Sequence, residues 1–333
     1  MTRSSGALRL RRRLLAGIVF GLLALGSAGP ASAAAPVAWP VQSLGDRGTD
    51  VLAIQHLLRA RLPPGSPAKP PIDAIFGAST RASVRAYQTQ VGLPVTGVVD
   101  AGTWSRLARA VMPGARGSAV LALQIELVAK VHAPIGVSGR YDARTRAAVG
   151  SFQRHRGLLA TGVADPRTWR ELVWHFETPG FGASTGLCDY SLENGTANWG
   201  TAEAIASLEA TGRAVQDLGY GRIAVGDVSF EHGGDIPGHQ THERGLDVDI
   251  RPLRIANDQC TWGTNWRLSS YDRAATRQMI LRFRALAPGH IKLIYFNDPV
   301  LIREGLTTWF EGHDDHLHVR FCEAQHALAM YDC

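Results

Sequence analysis

The stretch Gly238-His239-Gln240-Thr241-His242-Glu243-Arg244-Gly245-Leu246-Asp247-Val248-Asp249-Ile250 decides how the second half of the chain is read. From Leu246 onward the residues alternate, and a strand sets Leu246, Val248 and Ile250 on one face and Asp247 with Asp249 on the other. Two carboxylates on one face repel each other in a dry setting unless a cation or a donor accompanies them. His242, at the mouth of this strand, supplies part of that company. A second string, Glu311-Gly312-His313-Asp314-Asp315-His316-Leu317-His318-Val319-Arg320, has the same logic: His316 and His318 share a face, while Leu317 and Val319 pack behind them. Two imidazoles and two carboxylates on neighbouring strand faces make a compact nitrogen and oxygen cage, which suits Zn²⁺ in a catalytic site with one position open to water. Asp247, Asp314 or Asp315 is expected to orient an imidazole through its second nitrogen. Arg320 is read as pointing to the other side of the strand, in a structural ion pair.

The pair His242-Glu243 opens like the helical zinc-protease motif, but that motif needs a second histidine where this chain has Leu246. Gly245 weakens a helix further, so Glu243 is read as a solvated or supporting residue. Around the two strings the spacing predicts a helix from about Thr201 to Leu218, with Ile205, Leu208 and Val215 facing inward, and another from about Tyr271 to Leu286. Further strands are expected at Ile223–Ser229, Ile291–Phe296 and His316–Phe321. Few strands mixed with helices, without a regular βαβ rhythm, predict an α+β domain over residues 201–333 with a central, mainly antiparallel sheet. Residues 175–200 are rich in Gly, Ser, Thr and Asn and read as a linker or irregular entry.

Serine chemistry has no comparable support, because Ser229 near Glu231 and His232 lacks a nucleophile-elbow pattern and reads as loop structure. The four cysteines, Cys188, Cys260, Cys322 and Cys333, all lie in this half. An even count predicts two disulfides within one domain, with three pairings open. None forms a C-x-x-C, so a thiol redox centre or cysteine zinc cluster has no support.

The first half repeats itself. Gly48, Val51, Leu52, Ala53, Ile54 and Gln55 recur as Gly117, Val120, Leu121, Ala122, Leu123 and Gln124. Thr80, Val84, Tyr87, Gln88, Gly92, Gly97, Asp100, Thr103, Trp104 and Leu107 recur as Thr145, Val149, Phe152, Gln153, Gly157, Gly162, Asp165, Thr168, Trp169 and Leu172. Such repetition marks two homologous modules, here residues 41–112 and 113–174. Each reads as helix, loop, helix, loop, short helix, a small all-α three-helix bundle with Trp104 and Trp169 in the cores. Ser79 or Thr80 is expected to cap the second helix, and Asp100 and Asp165 the short third ones.

Ahead of the modules, Arg11-Arg12-Arg13, an apolar run from Leu14 to about Leu25 and the small residues Ala31-Ser32-Ala33 read as a secretory signal peptide over residues 1–33. An exported protein of the periplasm, cell wall or exterior is expected. No later segment is long and apolar enough for a membrane span. At 45% hydrophobic and 19% charged, the 333 residues exclude a disordered chain. Five of the six net positive charges are Arg3, Arg9, Arg11, Arg12 and Arg13. The remainder is nearly neutral, which argues against a nucleic-acid partner. No feature cues an oligomeric state.

The repeated pattern, down to Thr96-Gly97-Val98 and Thr161-Gly162-Val163 before Asp100 and Asp165 and then Thr103-Trp104 and Thr168-Trp169, resembles the peptidoglycan-binding domain of wall hydrolases. That resemblance implies peptidoglycan as the partner, with the modules raising the local concentration of the attached domain. The two histidine strings resemble the LAS metallopeptidases, most of all the penicillin-insensitive murein endopeptidases. This second resemblance implies His242, Asp249 and His318 as zinc ligands and His316 as general base. It also implies His239 and His313 in the cleft and Asp247 in support, with Asp314 and Asp315 beside them. The implied activity is zinc-dependent cleavage of the D-alanyl-meso-diaminopimelyl cross-link. A zinc carboxypeptidase or N-acetylmuramoyl-L-alanine amidase acting on stem peptides is the alternative, and a wall-binding protein with a vestigial metal site is the non-enzymatic one.

Overall fold

Helix formation in the first half follows the repeat. In this computed structural model, which describes residues 37–191, 196–326 and 328–333, the first module is α1 (Thr49–Arg61), α2 (Ala78–Val91) and α3 (Ala101–Leu107). The second is α4 (Ser118–Val131), α5 (Ala143–His155) and α6 (Pro166–Trp174). The expected signal peptide lies outside the described residues. Asp100 caps α3 by accepting from the Thr103 amide, and Asp165 caps α6 by accepting from that of Thr168. The expected cap of α2 is corrected: Gly77 holds that position without a side-chain bond, and Thr80 is turned into the core. There it accepts from Gln55, one of four buried glutamines that explain the repeat. Gln55, Gln88, Gln124 and Gln153 each donate to a carbonyl and a threonine hydroxyl of the loop and helix that follow. Each thus satisfies buried backbone polar groups that a core this small cannot leave unpaired. Trp104 and Trp169 are fully buried, as their spacing predicted.

The second half is a mixed domain around one five-stranded sheet. In chain order it comprises β1 (Leu187–Asp189), α7 (Ala202–Asp217), β2 (Ile223–Val225), β3 (Asp247–Ile250), α8 (Arg273–Leu286), β4 (Ile291–Tyr295), α9 (Pro299–Arg303) and β5 (Leu317–Phe321). The sheet order is β1-β2-β3-β5-β4, with only β1 and β2 parallel. The strand expected to reach Ser229 stops at Val225, because the amides of Val228 and Ser229 turn to the Ala197 carbonyl. Strand β1 was not foreseen; at three residues it is too short to show a period. The disulfides are Cys188–Cys260, which fastens β1, and Cys322–Cys333, which holds the C-terminus beside β5.

Residues 37–333 form one body. Helix α1 packs on α4 and on α7, and Gly48 makes the second approach possible: a Cβ there would lie 2.6 Å from the Ala202 carbonyl oxygen, and its φ of +104° disfavours any side chain. Charged groups are buried between the halves. Lys130 Nζ sits 3.1 Å from Asp50 and 3.6 Å from Glu177, and His290 Nε2 lies 3.2 Å from Asp46. Burial pushes Glu203 up to about 8 and Glu323 up to about 7. Burial opposes the charge on His290, yet Asp46 and Glu203 raise it to about 9.

All three values lie above those of the unfolded chain, so the folded state keeps protons that the unfolded state releases. Stability is therefore lost as pH rises through the folded values. Histidines depressed by burial, such as His326, act below their ordinary value and leave this window untouched. The melting temperature is expected to fall between about pH 7 and about pH 9, and calorimetry across that range checks it. A flat or rising profile would remove these groups as the source of the pH dependence.

Candidate metal centre

Register carries the two strings together. Strands β3 and β5 run antiparallel with Asp249 opposite His318 and Asp247 opposite Arg320. Leu246, Val248, Ile250, Leu317 and Val319 go into the core, as the alternation predicted. His242 Nε2, His318 Nδ1 and Asp249 Oδ1 lie 3.1–3.3 Å from one another. Donor atoms about 2.0–2.1 Å from a tetrahedral Zn²⁺ are separated by about 3.3 Å. Three converging donor atoms at that spacing fit such an ion.

The outward nitrogens complete the fit. His242 Nδ1–H donates to the Val228 carbonyl at 3.0 Å, leaving Nε2 a lone pair for the centre. His318 Nε2–H donates to Asp247 Oδ1 at 2.8 Å, leaving Nδ1 inward. Such outer acceptors are the usual partners of ligating imidazoles. Burial works against the Asp249 carboxylate, but its contacts with the His242 and His318 rings overcome it and hold the group well below the usual carboxylate range. Burial likewise opposes charge on His318, and Asp247 with Asp249 raises it to about 9, so a cation entering here displaces a proton.

The structure brings most of the expected residues to this point, with two differences. His239 lines the cleft as expected, and also reaches the cluster: its Nε2–H donates to Asp227 at 3.2 Å and its Nδ1 lies 3.6 Å from Asp249 Oδ2. His239, His242 and Asp249 together form one of the chain's groups able to hold a metal ion. Arg320 is corrected: strand parity puts it on the face of His318, where its Nε–H donates to Asp247 at 2.6 Å. The ion pair was foreseen but the face was not. Asp314 orients no imidazole, because Trp266, Asn297 and Arg267 donate to its carboxylate instead.

His316 and Asp315 sit at the rim. His316 Nδ1–H donates to Asp315 at 3.0 Å, and Nε2 lies 3.9 Å from Asp249 Oδ1. His313 packs edge-on against Tyr295 and Phe310 beside His316. A cleft of about 530 Å³ opens in front, lined by Tyr190, Asp227, His239, Asp249, Arg251 and His316 among others. Tyr190 had no motif to announce it, and Asp227, within the string Val225–Ser229 that shares the endopeptidase resemblance, had been given no role. Only a glycine at 226 leaves room for the phenol, since a Cβ there would meet Tyr190 Cζ at 2.8 Å.

Asp247→Ala should lower metal affinity about 10–100-fold by freeing the His318 ring. Competition with a chelator of known affinity measures this; unchanged affinity would show that Asp247 serves Arg320 alone.

Residues 47–107 and 116–172 each match the family model of the peptidoglycan binding domain. Residues 192–294 match that of the penicillin-insensitive murein endopeptidase. This match ends within β4, ahead of His313, His316 and His318. No curated protein matches the chain. Among the described residues no helix is long and apolar enough to cross a membrane.

Proposed function

Starting from a chain built of two peptidoglycan-binding modules followed by a murein-endopeptidase domain, we propose that it is a zinc-dependent peptidase of wall cross-links. The bond we assign is D-alanyl-meso-diaminopimelyl, cut in the periplasm or outer wall by the exported, mature protein. The observation that carries this reading is the set of three donor atoms 3.1–3.3 Å apart, two of them on imidazoles whose other nitrogens are already occupied. His242, Asp249 and His318 would hold the ion, which supplies a Lewis acid and an acidified water. Asp247 and the Val228 carbonyl keep the two ring tautomers fixed, so neither ring must reorganise during turnover. Asp315 holds the proton of His316 Nδ1, which leaves Nε2 free to take a proton from the attacking water and return it to the leaving amine. His239, bonded to Asp227, lines the approach to Asp249 from the cleft.

Mass spectrometry of defined cross-linked and uncross-linked muropeptides, with and without chelator, tests the proposal. Chelator-sensitive conversion of dimers to intact monomers is expected. Loss of a terminal alanine alone makes the protein a carboxypeptidase, and release of the stem from the sugar makes it an amidase. Retained zinc without any cleavage leaves a wall-binding protein with a vestigial site.

A further inference from the structure

Away from the cleft, a second set of histidines meets where the second helical module touches the catalytic domain. His155 ends α5, His175 follows α6 directly, and Glu231 with His232 opens the loop that leads to His239 and His242. Ligand atoms of these four residues lie within 4.8 Å of one another. His155 Nε2 and His175 Nε2 stand 3.2 and 3.4 Å from the same atom, Glu231 Oε1. That is the separation of about 3.3 Å that bonds of about 2.0–2.1 Å impose in a tetrahedral shell.

His175 says most about what belongs there. Its Nδ1–H donates to the Phe176 carbonyl at 2.7 Å, so the lone pair sits on Nε2. That atom is buried without a hydrogen-bond partner, on a side chain only 1% exposed, and it is aimed at a carboxylate oxygen. A lone pair facing a carboxylate at this range is repulsive unless a cation lies between them. Holding a second proton there would mean a buried imidazolium, which desolvation disfavours. His232 plays another part: Arg156 donates to its Nδ1 at 3.3 Å, which turns its Nε2–H toward Glu231 Oε2 at 3.9 Å. Glu171, 3.1 Å from Arg156, offsets the guanidinium charge near the cluster.

We propose that His155, His175 and Glu231 form a second divalent-metal site, for zinc or another borderline transition ion, that clasps the second module to the catalytic domain. Two imidazoles and a carboxylate are a donor set such ions prefer over Mg²⁺ or Ca²⁺. His155 is 42% and Glu231 33% exposed, so an ion enters from solvent and a water completes the shell.

Metal content of the full mature chain, measured after zinc loading and desalting, tests this. Wild type should hold two equivalents, and Glu231→Gln and His155→Ala one each. Both substitutions are at partly exposed side chains, and circular dichroism checks that they fold. Asp249→Asn, which empties the catalytic centre, should also keep one equivalent, and zinc should raise its melting temperature, an effect lost in the Asp249→Asn, Glu231→Gln double variant. If Glu231→Gln and His155→Ala both retain the wild-type content, the clasp is wrong, whatever Asp249→Asn does. If Asp249→Asn alone retains all of it, the catalytic metal reading fails and the clasp stands.

Discussion

In the zinc peptidase proposed above, Asp249→Asn is expected to lose the catalytic metal and to slow cross-link cleavage about 1,000-fold or more, a loss of about 4 kcal/mol in transition-state stabilisation. The substitution is nearly isosteric and removes only the charge. Asp249 Oδ1 is the atom on which His242, His318 and, at longer range, His316 converge, so its anion is the focus of the cluster. In the folded chain this carboxyl is held far below its ordinary range, so it is ionised at any working pH. Zinc analysis and muropeptide turnover on the same preparation decide the matter. Wild-type turnover by Asp249→Asn would falsify the ligand assignment outright.

His316→Ala should behave differently, keeping its metal while turnover drops about 10²–10⁴-fold, the range for loss of a general base. The geometry separates the two roles. His318 has both ring nitrogens committed within 3.2 Å, one to Asp247 and one to the centre, whereas His316 has one committed to Asp315 and the other facing the cleft mouth. Asp315→Ala should lower the rate in the same direction but less, because it loosens the ring without removing it. A His316→Ala protein that had lost its zinc would make His316 a ligand, and one that turned over at full rate would end its role as base.

How much of this could be read beforehand depended on whether a residue's role was local. Strand parity put Asp247 with Asp249 and His316 with His318, and antiparallel pairing of β3 and β5 brought the two pairs face to face. The repeated Asp, Thr and Trp positions marked the caps of α3 and α6 and the cores of both modules, though not the cap of α2. Parity also contained the position of Arg320, two residues from His318, although the sequence reading assigned it to the wrong face. Asp227, by contrast, reaches His239 only after β2 ends and the chain turns to meet Ala197, and no period marks such a turn. Lys130, Asp50, Glu203 and His290 look like ordinary surface charges in a one-dimensional pattern. They are buried and paired through contacts between elements far apart in the chain, and such tertiary packing leaves no local trace.

The packing of α1 on α7 changes what the wall-binding modules can contribute. On a flexible tether, a binding module raises the chance of encounter over a whole sphere of reach, and the catalytic domain samples every bond within it. Here α1 rests on α7 through a glycine that leaves no space for a side chain, with ion pairs sealed beneath. A wall strand gripped by the modules would thus meet the cleft at one offset and one angle, so the protein would work as a gauge, severing bonds at a set distance from its grip and passing over the others.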